Sequence, residues 1–246
     1  MKKFMSLIAI AAMALAFTAS SALAAFEDNH LIRVIYSTAG GNEEIATDLG
    51  LVSDVLNAAD NTSFAAGSVS LTDFANATWA DLNVAYFAVN SDYSAWLSGA
   101  AGASSLPVKE DGGFSVGYND LGAATAIGTY YRGLVTGTET TVKGSQTYTN
   151  SYSSILGGVN AGYFGTFLSA PVGEANLADL ATVGYVDQGL FHSPLTYYPD
   201  TTLLASLRTM EDGSTIINPA AVPVPASVLL FGTGLVGLIG LRRKSA

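Results

Sequence analysis

Short apolar runs separated by turn residues occupy the middle of the chain, and most have the length of strands rather than helices. Leu31–Tyr36 is a compact run of branched residues closed by an aromatic, which predicts a strand, and Gly40-Gly41-Asn42 predicts a turn behind it. Ile45, Leu49, Val52 and Leu56 share one helical face, but Gly50 interrupts it. The preferred reading is a return strand over Glu43–Asp48 and a short helix from Leu51 to Ala58, with one longer helix as the alternative. Leu82–Val89 predicts a central strand, and Phe114–Tyr118 and Ala161–Leu168 further strands. Asn119–Leu134 reads as a helix capped by Asn119 or Asp120, weakened by Gly128, and Ala175–Val183 as another short helix. Thr136–Ser154, rich in Thr, Ser and Tyr, reads as exposed strand and loop. Leu203–Met210 and Ser214–Ile217 flank Glu211-Asp212-Gly213, a hairpin signature because glycine supplies the positive φ of the turn. These elements sum to an α+β fold, mainly antiparallel β with a few short helices, with an all-β sandwich as the alternative. They predict a single extracellular domain over residues 25–218.

The two ends follow different rules. Met1–Ala24 has the three parts of a secretory signal peptide: Lys2 and Lys3, the apolar stretch Leu7–Phe17, and the small residues Ala22 and Ala24 at the −3 and −1 positions. Signal peptidase is the partner this implies, cutting after Ala24. At the other end, Asn218–Pro225 is proline-rich and predicts an extended spacer, so residues 219–225 read as linker and motif. Ala220–Leu241 carries no charge and is followed by Arg242, Arg243 and Lys244. The segment over 226–246 therefore reads as a transmembrane helix with a basic stop-transfer cluster, whose cations stay cytoplasmic and leave the body outside. Gly232 to Gly237 spells G-x-G-x-x-G, but too little chain follows for a dinucleotide-binding unit.

Val222, Pro223, Val224, Pro225 and Ala226, then a glycine-bearing apolar segment and the Arg-Arg-Lys cluster, resemble the PEP-CTERM sorting signal in its V-P-x-P-A form. The resemblance implies an exosortase-type transpeptidase as partner, with residues 222–226 as the sorting motif. It also implies a location in the membrane, on the cell surface or beyond, in bacteria that make exopolysaccharide.

Charge and composition narrow what the body does. Five of the ten basic residues lie in the two ends, so five remain against 20 acidic residues, a net charge of −15 over the mature segment. A body that acidic is repelled by phosphate backbones, which excludes nucleic acid as a partner. Cysteine is absent, which removes thiol catalysis and Cys-ligated metals.

Candidate chemistry is sparse. Gly113-Phe114-Ser115-Val116-Gly117 matches G-x-S-x-G, with Asp179 or Asp187 and then His192 following in hydrolase order. A secreted serine hydrolase acting through Ser115 is thus an alternative, although Pro107–Gly112 reads as a polar turn where a buried strand is needed. His30 and His192 have no partner at metal-ligand spacing and read as surface or loop residues. Asp60-Asn61 and Glu110-Asp111-Gly112 are the fragments nearest to a calcium loop, and both fit ordinary turns. Trp79, Tyr86, Tyr93 and Trp96 give scope for stacking on carbohydrate, the second alternative. Asn61-Thr62-Ser63 and Asn76-Ala77-Thr78 are sequons, which the bacterial-type tail makes idle matches. The reading favoured is a non-enzymatic exported protein, structural or associated with matrix exopolysaccharide, with no cofactor, metal or catalytic residue.

Overall fold

A computed structural model of the chain describes residues 25–39, 41–64, 69–75, 77–90, 94–109, 113–157, 161–194 and 200–220, with backbone alone for 113–123. The signal peptide, the sorting motif at 222–226, the 226–246 segment with its basic cluster, and Gly40, Asn76, Tyr93 and Glu110–Gly112 lie outside the described residues.

The first strand is buried on both faces, which is why its sequence is a continuous apolar run rather than an alternation. In β1 (His30–Ser37), Ile32, Val34 and Tyr36 enter one hydrophobic cluster, while Leu31 and Ile35 enter another. β2 (Glu43–Leu51) returns antiparallel, with Val34 opposite Ala46. Gly50 then turns the chain at φ +94°, a conformation that only glycine adopts without strain. The helix α1 (Val52–Asn57) follows and buries Val52 and Val55. The hairpin-then-helix reading of this stretch holds.

Behind it come β3 (Ser63–Phe64), β4 (Leu82–Val89) and β5 (Ala95–Ala100), then the long helix α2 (Gly113–Leu134). β6 (Thr141–Ser145), the one-turn helix α3 (Tyr152–Ile155) and β7 (Ala175–Asn176) follow. The body ends with β8 (Tyr185–Ser193), β9 (Thr202–Met210) and β10 (Thr215–Ile217). Among the described residues all pairings are antiparallel, in the order β3-β10-β9-β8-β5-β4-β1-β2-β6, with β7 added beside β4. The fold class is as expected, mainly antiparallel β with few helices. The sandwich alternative gives way to one continuous sheet.

That sheet curls on itself. β1 and β10 stand five places apart, roughly 24 Å in a flat sheet at about 4.8 Å per strand. Yet Arg33 of β1 donates from Nη1 to Gly213 O at 2.5 Å and to Thr215 Oγ1 at 3.2 Å. Tyr86 of β4 likewise reaches Thr209 and Thr215 through its hydroxyl, at 2.6 and 3.0 Å. The concave face encloses Leu31, Ile35, Val84, Tyr86, Leu190 and Leu207, among others. The convex face is covered by α2, whose Ala124, Ile127 and Tyr131 sit at helical spacing, and by Tyr152, Phe164 and Phe167.

The segment 173–177 passes between the faces. β4 pairs with β5 only at Phe87–Val89 and with β7 at Asn83–Val84. Between these sites Ser98 Oγ accepts the Tyr86 N–H at 2.9 Å and donates to Gly173 O at 2.6 Å, bridging the gap. Glu174 thus borders the convex cluster through Tyr36 and Tyr152, whereas Leu177 lies in the concave one.

Three expectations are corrected. Phe114–Tyr118 is not a strand but the start of α2, because the alternation Phe-Ser-Val-Gly-Tyr is too short to set a strand against the helix that continues behind it. Ala161–Leu168 is a series of turns: Gly162, Phe164 and Gly165 all have positive φ, which no strand accommodates. Its apolar residues plug the convex core instead. Ala175–Val183 is strand β7 followed by a 3₁₀ turn over Leu177–Ala181 capped by Asn176, rather than an α-helix.

β5 and β8 escaped the sequence reading because each carries a glycine where a strand favours a branched residue. Gly99 and Gly189 face each other across the pair, and the Phe191 ring lies over both. A Cβ on Gly99 would come within 2.8 Å of that ring and closer still to Leu106. Gly99→Ala is therefore expected to lower stability by about 2 kcal/mol, read from the urea midpoint, while Gly133→Ala, with open space around it, leaves the midpoint unchanged or raises it.

Candidate functional site

Two carboxylates, Glu44 buried and Glu174 partly buried, organise the convex side, and neither was singled out by the sequence. Glu44, on β2, accepts four hydrogen bonds: Tyr131 Oη at 2.7 Å and Tyr152 N at 3.2 Å on Oε1, Ser153 N at 3.0 Å and Ser153 Oγ at 2.8 Å on Oε2. Glu174 accepts Tyr152 Oη at 2.7 Å, Tyr36 Oη at 2.5 Å, Asn83 Nδ2 at 3.3 Å and the Gly162 N–H. Tyr152 therefore ties the two together, its backbone to one and its hydroxyl to the other. Burial pushes the Tyr131 and Tyr152 hydroxyls well above the usual tyrosine range, so both remain proton donors. With every lone pair occupied, neither carboxylate has a free acceptor for a substrate or a metal.

Burial also raises the pKa of both glutamates, outweighing the donors that oppose it. A raised folded pKa means that the native state holds its proton more tightly than the unfolded chain does. The resulting stabilisation is present below the ordinary 4.5 and is lost as pH rises through the shifted values. Asp81 and Asp212, whose pKa values are lowered by hydrogen bonds from Thr78 and Ser214, act the other way, and their contribution is lost as pH falls below 3.8. Urea midpoints measured across the acid range should therefore peak near pH 4. In Glu174→Gln the fall above pH 4.5 should be shallower.

The concave side holds a cation. Arg33 is fully buried and bonds neutral oxygens: Gly213 O, Thr215 Oγ1, the Tyr86 hydroxyl and, at 3.3 Å, Thr47 Oγ1. Burial lowers its pKa, opposed first by Tyr86 and then by Asp212 in the hairpin turn. The clue available in the sequence was an arginine inside the apolar run Leu31–Tyr36.

Residues singled out by sequence are dispersed. Ser115 falls in the first turn of α2, where Gly113 and Phe114 before it are already helical, and the buried side chains described for that helix serve the convex core. Asp187 is engaged by Arg208 through two bonds of 2.7 and 2.8 Å. His192 lies elsewhere, half-buried on β8 with its ring 5.0 Å from that of Trp96, which packs on the concave cluster. Asp179 sits in the 3₁₀ turn. Neither histidine is a plain surface residue: His30 is buried at the start of β1, its Nδ1 2.7 Å from Asp48 Oδ2. Asp48 also accepts the Phe26 and Gly50 N–H groups. The aromatic group is split as well, with Tyr86 buried and Trp79 and Trp96 half-buried against the concave cluster. Among the described residues no group of three or more metal-binding side chains is placed to hold an ion.

The tail leaves from the β3–β10 end of the sheet. Asn61 and Asn218, both with positive φ, fix the exit. Asn218 exchanges bonds with Ser206, its N–H reaching Ser206 O at 2.8 Å and its Oδ1 accepting Ser206 N–H at 3.0 Å. Its Nδ2 donates to Asp60 at 3.0 Å, and Asn61 Oδ1 accepts the Ala220 N–H at 2.5 Å. No helix among the described residues is long and apolar enough to cross a membrane; the expected span at 226–246 lies outside them.

No curated protein and no solved structure matches the chain. One family does: immediately beyond the pinned Ala220, residues 221–244 match the PEP-CTERM protein-sorting motif, the mark of an exported protein sorted by an exosortase.

Proposed function

We propose that residues 25–218 are a non-enzymatic surface component, delivered by the tail and working in the envelope or in extracellular polysaccharide. The observation that carries the reading is the sorting motif at 221–244, directly behind a folded body. The state of the body's ionisable groups supports it. Glu44 and Glu174 are saturated with donors, and Asp187 is clamped by Arg208. The net charge of −15 suits a soluble exterior and an uncharged glycan better than an anionic lipid face.

The test is expression of the full-length chain, tagged within an exposed loop of the body, in a host with and without the matching exosortase. Processed protein at the surface or in the matrix fraction only where the enzyme is present supports the reading. An unprocessed chain in the cytoplasm of both hosts overturns it. An esterase-substrate screen with a Ser115→Ala control separates this reading from a hydrolase: turnover abolished by that change would replace it.

A further inference from the structure

The bonds that end the body extend three residues past the last strand. The β10 ladder stops at Ile217, yet Asn218 is held by Ser206 and Asp60, and Ala220 by Asn61. Asn61 and Asn218 both take the left-handed conformation, at φ 64° and 42°. Asparagine tolerates it better than other non-glycine residues and adds a side chain that bonds the neighbouring backbone. The chain is thus pinned up to one residue before the sorting motif begins at 221.

Chain geometry turns this pin into a distance. At about 3.6 Å per residue, Pro223 lies no more than roughly 11 Å from Ala220, and Pro225 no more than about 18 Å. A folded body of this size has a radius of gyration of about 16 Å. The tether is therefore no longer than the body is deep. An enzyme that grips the proline motif must meet the surface from which the tether departs.

We propose that the β3–β10 end, built around Asp60, Asn61, Ser206 and Asn218, is the face the body presents to the exosortase during processing. The inference rests on the sorting reading above and adds a contact surface to it. The clamp acts as a positioning device: it keeps slack out of the tether and holds this end against the enzyme. Ser63 and Ser206 are exposed on this face, and neither side chain takes part in the clamp.

The experiment follows conversion of the full-length chain to its processed form, by mass, in a host supplying the matching exosortase. Ser206→Trp is expected to slow conversion at least threefold with an unchanged melting temperature. Ten Gly/Ser residues inserted between Ala220 and Ala221 of that variant, spanning about 17 Å on average, should restore the rate. Asn61→Gly, which permits the same backbone conformation but removes the acceptor for Ala220, should restore it in part. Thr147→Trp, in the loop between β6 and α3, is the control and should convert at the wild-type rate. Ser63→Trp serves as the second bulky variant should Ser206→Trp fail to fold. A folded bulky variant that converts at the wild-type rate, or one that the spacer does not rescue, overturns the proposal while leaving the sorting reading intact. A wild-type chain that is never converted overturns both.

Discussion

Glu44→Ala is expected to yield a chain that does not fold. The side chain occupies a fully buried position and accepts from four donors, namely Tyr131 Oη, Tyr152 N, Ser153 N and Ser153 Oγ. Removing it leaves Tyr131 Oη and both Ser153 donors without an acceptor, and Tyr152 N with only its 3.3 Å bond to Tyr131 Oη, in a place that water reaches only by opening the convex core. Each orphaned donor costs about 1–3 kcal/mol, so the total rivals the roughly 5–15 kcal/mol of a typical domain. Glu44→Gln is the sharper experiment, since it keeps the shape and removes the charge. One end of the amide must then point an N–H at a backbone donor, Ser153 N or Tyr152 N, while the hydroxyl beside it turns to accept. Burial already penalises the charge, so the loss should be about 1–2 kcal/mol, well short of that for alanine. Circular dichroism for the first variant and urea unfolding for the second are the measurements. A Glu44→Ala protein with native dichroism and a urea midpoint near that of the wild type would show that the network does not hold this face together.

The second large effect concerns Arg33. Arg33→Ala removes the donor to Gly213 O, Thr215 Oγ1 and Thr47 Oγ1 and opens a cavity inside the curl, which together should cost about 3–5 kcal/mol. Arg33→Met keeps the volume and removes a charge that burial already penalises. Desolvating a charge costs several kcal/mol, and among the described residues no carboxylate bonds this one, so methionine should lie closer to wild type than alanine by about 2 kcal/mol. Equal losses for the two would mean that the hydrogen bonds to the β9–β10 hairpin, rather than the volume filled, set the closure of the sheet.

The sequence revealed some elements and hid others for physical reasons. Leu31–Tyr36, Leu82–Val89 and the Asp212-Gly213 hairpin were legible because each combines β-branched or aromatic residues with turn chemistry at its end. Gly50 was legible too, as a break in a helical face, and its φ of +94° is the reason. β5 and β8 were not, because the glycine pair that seats Phe191 looks locally like loop. The turns over 161–168 misled in the other direction, being apolar for burial and not for pairing. Glu44 and Glu174 could not be found by spacing: 130 positions separate them, and their common partner Tyr152 lies between them in sequence. Of the sorting signal, by contrast, everything was local: two prolines, an uncharged stretch and three cations in a row.

The pairing of β3 with β10 joins Phe64 to Thr215, residues about 150 positions apart, and β2 waits nearly a hundred residues for β6. Contacts so distant in sequence slow folding, because the loop must close before they reward it. For a chain that crosses a membrane from its N-terminus onward, most of the sheet can pair early, but its last edge cannot be sealed until residue 217 has emerged. The sorting tail is the next segment to follow. Completion of the fold and arrival of the tail at the membrane thus coincide, and a protein threaded outward in this order reaches its processing step with its body newly closed.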